Sequence, residues 1–238
     1  MNIFLDVETV PCQHPQAQTE AAAGIKPPGT LKKPESIAAW WETEAPAAAQ
    51  AAWRKQSLDG GTQGEIISIA CTDGEGREWV HCRAPGDSER ALLVQFIEAV
   101  EGWTADDAAR APAYSSAWPM DAHRLVAHNA AFDVGFLWRR CVVHGLRIPR
   151  WLPGPQARAG RDYSCTMLAW AGHGGRISLD SLCTALGLPS PKAGGMEGSQ
   201  ILDTWLAGRR EEIAAYNLQD ARAVASVWHR LAAVGAAV

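Results

Sequence analysis

Cysteine pairs at metal-binding or redox spacing are missing from this chain: its six cysteines (Cys12, Cys71, Cys82, Cys141, Cys165 and Cys183) include no C-x-x-C. That excludes a zinc ribbon and a redox dithiol. Long apolar runs are missing as well. None approaches the roughly 20 residues that cross a bilayer, and the opening MNIFLDVETV turns acidic before the apolar centre of an export signal could form. The expectation is a cytoplasmic chain whose thiols are small core residues, including Cys71 and Cys82, which neighbouring strands could bring together. Nor is there an excess of positive charge. With 22 Lys and Arg against 26 Asp and Glu, the formal charge is −4. A broad basic face that grips long duplexes by counterion release is therefore excluded. A small nucleic-acid site is not, because clustered carboxylates lower the global count while the cations they bind reverse the local field.

What is present suits a globular α/β protein: 47% of the residues are apolar and 20% charged, enough to bury a core. Ile3–Leu5 reads as a buried strand ending at Asp6. Residues 11–64 change in composition, becoming rich in Ala, Pro, Gln and Lys, with short helices expected over 36–41 and 47–58 and a break at Pro46. Ile66–Thr72 and Glu78–Cys82 are strands joined by the turn Asp73-Gly74-Glu75-Gly76. A helix is expected from Asp87 or Ser88 through Glu101, then a strand over 124–128 and a helix over 131–144. Helices over 179–186, 199–207 and 210–231 follow. Three early strands, then strands alternating with helices, predict a mixed sheet with helices on its faces. Between Arg139 and Arg161 lie six arginines and no acid, flanked by Trp138 and Trp151. The segment is either a solvated face or a set of phosphate and base contacts.

Three short stretches carry chemistry. In a strand, residues i and i+2 share a face, so Asp6 and Glu8 of D-V-E-T stand side by side, an arrangement that calls for a hard cation between them. His128-Asn129-Ala130-Ala131-Phe132-Asp133 sits where a strand passes into a helix, the place at which open α/β sheets bind ligands. Tyr216 and Asp220 lie one turn apart on one helix face. Taken singly, each has a bland reading as a strand end, a helix start or an exposed helix face. Together, four carboxylates and a phenol form the donor set of a two-metal phosphodiesterase.

With FLDVETVP (4–11), AHNAAFD (127–133), SLDSLCTALGLP (178–189), KAGGMEGSQILD (192–203) and EEIAAYNLQD (211–220), the chain resembles the stand-alone 3′–5′ exonucleases of the DEDD superfamily. The branch is the one with tyrosine as fifth residue, related to the proofreading domain of family-B DNA polymerases. The resemblance implies an RNase H-like (DnaQ-like exonuclease) mixed five-stranded sheet flanked by helices, forming one domain over 1–238. It implies that Asp6, Glu8, Asp133 and Asp220 hold two Mg²⁺ or Mn²⁺ ions and that Tyr216 orients the attacking water. Asn129 and Phe132 match positions that contact the terminal nucleotide, Thr9 lies beside the 3′-hydroxyl, and Lys192 reaches a phosphate. A histidine branch would place its base at position 215, which is alanine here. His128 is expected to point away from the acids.

The implied reaction releases nucleoside 5′-monophosphates from the 3′ end of a single strand, DNA in preference to RNA. The expected partners in trans are replication or repair proteins, with no membrane. About fifty residues (11–64) separate the first two strands, an insertion expected to act as a lid or substrate-guiding arm. Two alternatives stay open: a catalytically silent nucleic-acid-binding module on the same fold, and an exoribonuclease acting on short RNA.

Overall fold

The structure, a computed structural model, describes residues 1–110 and 123–236, without the side chains of 108–110, 193 and 194. In chain order, strand β1 (Asn2–Val10) is followed by helices α1 (Ala17–Ala23), α2 (Pro34–Thr43) and α3 (Ala45–Arg54) and by a 3₁₀ turn at Lys55–Leu58. Strands β2 (Glu65–Thr72) and β3 (Glu78–Cys82), helix α4 (Glu89–Arg110), strand β4 (Arg124–Ala127) and helix α5 (Ala130–Val143) come next. After them stand β5 (Ser164–Cys165), α6 (Thr166–Ala171), α7 (Leu179–Ala185), α8 (Ile201–Leu206) and α9 (Arg210–Ala233). By their contacts these elements fall into two compact units, Met1–Glu8 with Ile66–Val238, and Thr9–Glu65.

The larger unit is built on a five-stranded sheet in the order β3-β2-β1-β4-β5. β4 runs parallel to β1 and to β5, while β2 and β3 form an antiparallel hairpin. The sheet is thus mixed and flanked by helices, as expected. β1 is longer than its apolar run suggests, because the acids at its end stay in extended backbone through Val10. Its two faces do different work. Ile3, Leu5 and Val7 pack with Ile66 and Ile69 of β2, Leu92, Leu93 and Phe96 of α4, and Val134 and Leu137 of α5. On the opposite face, Phe4 packs with Val126 of β4 and with Val224, Ala225 and Trp228 of α9.

Two ion pairs register helices on this sheet. Glu89, at the start of α4, accepts Ile66 N–H at 2.7 Å and bonds buried Arg140 of α5 at 2.6 Å and His144 at 2.7 Å. Arg222 of α9 makes a two-pronged contact with Glu78 of β3, both distances 2.6 Å. The hairpin register sets Cys71 opposite Trp79 and Cys82 opposite Ser68, so the two cysteines do not meet, and all six thiols are free. Among the described residues, no helix is long and apolar enough to cross a membrane.

The arginine-rich segment divides. Arg140 is committed to Glu89, Arg161 pairs with Asp162, and Trp151 is buried with its ring edge-on to Phe96. Arg140 and Trp151 are withdrawn from the phosphate- and base-contact reading, whereas the Arg161 side chain stays 67% exposed. Arg147, Arg150 and Arg158 are exposed.

The smaller unit contains the expected 11–64 insertion. Its buried tryptophans are Trp40 of α2 and Trp53 of α3, the latter donating its indole N–H to Cys12 O at 3.0 Å. Pro46 does not break a helix but begins one. It lies in the first turn of α3, where its missing N–H would have had no partner. Asp59 closes the unit's final loop, its carboxylate accepting the N–H groups of Gly61, Thr62, Gln63 and Gly64.

Candidate active site

The acid cluster grows directly out of the core. Along one face of β1 the residues run Phe4, Asp6, Glu8; along the facing side of α9 they run Trp228, Val224, Asp220, Tyr216. Phe4, Val224 and Trp228 are the apolar end of this contact. Two residues further along the strand and one turn back along the helix, the same packing surface becomes carboxylate. One oxygen from each of Asp6, Glu8 and Asp220 lies within 4.8 Å of the others.

Asp133 joins from a third direction. β4 pairs with β1 only over Asn2–Phe4, so β1 runs on beyond its neighbour. There the N–H of Val7, between the two acids of the strand, bonds to Asp133 Oδ1 at 3.3 Å. Asp133 occupies the first turn of α5, where the helix dipole favours a negative charge, and it is 4% exposed.

Burial dominates the electrostatics, and crowding adds to it. Burial raises the pKa of Asp6 and of Glu8 well above the ordinary carboxylate range, and the neighbouring acids raise them further. Burial likewise pushes Asp133 up to about 7 and Asp220 up to about 6. No ion pair relieves any of the four among the described residues. Lys192, exposed on a short 3₁₀ turn, favours the charge on Asp220 from a distance. Four hard oxygen donors with uncompensated charge fit divalent Mg²⁺ or Mn²⁺. Tyr216 lies one turn before Asp220 on α9, and burial together with the surrounding acids drives its pKa upward, so it stays protonated.

Asn129 is exposed at the start of α5, and its side chain does not cap the helix. Phe132 is half-buried and packs on Phe136, the ring centroids 4.8 Å apart. Thr9, next along β1, falls in the smaller unit, where its hydroxyl donates to Ser57 O at 2.6 Å. His128 is occupied elsewhere. Its Nε2–H donates to Ile177 O at 2.8 Å, Nδ1 faces the Thr166 hydroxyl at 3.0 Å, and burial lowers its pKa.

One site residue escaped the sequence reading. Asn217, fully buried beside Tyr216, donates from Nδ2 to Asp6 Oδ2 at 2.7 Å and accepts at Oδ1 from the Ser68 hydroxyl at 3.1 Å. Its signal was available: Ile213 and Ala221, four residues to either side, are apolar, which puts position 217 on the buried face of α9.

A mixed five-stranded sheet flanked by helices, with acids gathered beyond the short pairing of β1 and β4, defines an RNase H-like exonuclease domain. A family model described as "Predicted 3'-5' exonuclease related to the exonuclease domain of PolB" matches residues 63–238, and the chain belongs to that family. The match contains Asn129, Phe132, Asp133, Lys192, Tyr216 and Asp220; Asp6, Glu8 and Thr9 precede it. Neither curated proteins nor solved structures gave a match.

Proposed function

We propose that this protein is a metal-dependent 3′–5′ exonuclease of the tyrosine branch, removing nucleoside 5′-monophosphates one at a time from single-stranded nucleic acid, DNA preferentially. The observation that carries the reading is the convergence of Asp6, Glu8 and Asp220 within 4.8 Å, with Asp133 beside them. Four acids crowded together, with no ion pair to any of them among the described residues, are costly in a folded protein unless a cation joins them. Two Mg²⁺ or Mn²⁺ ions held by these residues would supply Lewis acidity toward water and phosphate.

The chain's own groups do the rest. A protonated Tyr216, one turn from Asp220, offers a hydroxyl that orients the attacking water; its raised pKa makes it a poor base. Asn129 supplies an uncommitted carboxamide at the head of α5, and Phe132 a ring on which a terminal base stacks. Lys192 approaches phosphate from the 3₁₀ turn. Contacts to phosphate and base faces tolerate any sequence, which suits a nuclease acting on strand ends.

The test is digestion of a 5′-labelled single strand with Mg²⁺ or Mn²⁺, run on matched DNA and RNA. A ladder shortening by single nucleotides from the 3′ end, lost on chelation and stronger on DNA, is the expected result. Binding without metal-dependent products would instead make the chain a silent nucleic-acid module.

A further inference from the structure

The side chain of Asn217 has no freedom left. In the charged form that binds a cation the Asp6 carboxylate only accepts, so the amide nitrogen faces Asp6; the amide oxygen then faces Ser68, whose hydroxyl donates. The chain Ser68–Asn217–Asp6 therefore has a single direction, and it links β2, α9 and β1 with distances of 3.1 and 2.7 Å. Asn217 and Ser68 are both fully buried, so water does not compete for either bond. Of the four acids, Asp6 is the one held by a neutral side-chain donor from the core. The amide bonds Oδ2 at 2.7 Å, while Oδ1 accepts no hydrogen bond among the described residues.

We infer that Asn217, held by Ser68, is a positioning residue for the metal centre: it fixes the rotation of the Asp6 carboxylate and leaves one oxygen free for a cation. The inference rests on the exonuclease reading and adds a residue to it. Outer partners of this kind orient metal ligands, and their removal typically weakens metal binding about 10–100-fold. A purely structural amide, joining strand and helix, would affect folding without affecting the metal.

The two roles separate in Mn²⁺ titrations of full-length protein, followed by the electron paramagnetic resonance of free Mn²⁺, alongside melting curves without metal. Wild type, Ser68→Ala, Asn217→Ala and Asp133→Asn are compared. Asn217→Ala is expected to lose Mn²⁺ affinity about 10–100-fold while all four carboxylates remain. Ser68→Ala removes only a hydroxyl, remains folded, and is expected to lose affinity in the same direction by a smaller factor. If Asn217→Ala does not fold, Ser68→Ala decides alone. Wild-type Mn²⁺ affinity in the folded variants overturns the inference, whatever their melting temperatures. A wild-type protein that takes up no Mn²⁺, or an Asp133→Asn protein that takes it up normally, overturns the exonuclease reading and this inference with it.

Discussion

Asp133 Oδ1 accepts the backbone N–H of Val7 at 3.3 Å, joining residues 126 positions apart. The bond is made to the peptide between Asp6 and Glu8, so the head of α5 is registered against the strand that bears two of the acids. An asparagine can make the same bond through its carbonyl oxygen.

Asp133→Asn therefore keeps the geometry and removes a buried charge. Metal-dependent hydrolysis is expected to fall to the detection limit. In metal-free buffer at pH 8 the variant should melt a few degrees above wild type, since each kcal/mol shifts a protein of this size by about 2–4 °C. Activity assays and differential scanning calorimetry check the two halves; full activity would refute the role of Asp133.

The acids make metal binding pH-dependent. Asp133 is held at about 7 and Asp220 at about 6, both above their unfolded values near 3.8. Without metal, the stability tied to their protonated forms is complete below about pH 4 and is lost as pH rises through 6 to 7. A cation must displace those protons, so Mg²⁺ should raise the melting temperature more at pH 8 than at pH 5.5. Equal shifts at both pH values would separate metal binding from these groups.

Tyr216→Phe removes the hydroxyl but keeps the ring. Turnover should slow about 10²-fold, the low end of typical acid–base contributions. Single-turnover digestion measures it, and a wild-type rate would reduce the tyrosine to packing.

Arg140→Ala leaves Glu89 buried with His144 and the Ile66 N–H as its remaining partners. Breaking a buried pair from one side costs about 3–5 kcal/mol, visible as a lower urea midpoint. The acid cluster is not touched directly, so protein that remains folded should still cleave.

The residues that carry chemistry were the most legible part of the sequence, because strand and helix periodicities alone put Asp6 with Glu8 and Tyr216 with Asp220. Elements held by few residues were not. β5 is two residues long, too short to show alternation, and owes its place to pairing with Val126 and Ala127. α6 follows it at once and was missed with it. α4 continues past the expected Glu101, since the apolar stripe fades after Val100 but Asp107 still binds Arg77 at 2.8 Å. Asn217 was overlooked because asparagine is a weak helix former and reads as a surface residue; Ile213 and Ala221 put it on the buried face, and its bonds to Ser68 and Asp6 show what it does there.

Helix α9, the last element, brings Tyr216, Asn217 and Asp220 to a strand that opens the sequence. A ribosome therefore releases Asp6 and Glu8 long before the residues that complete their surroundings. A chain interrupted before residue 216 carries Asp6, Glu8 and Asp133 without Tyr216, Asn217 and Asp220.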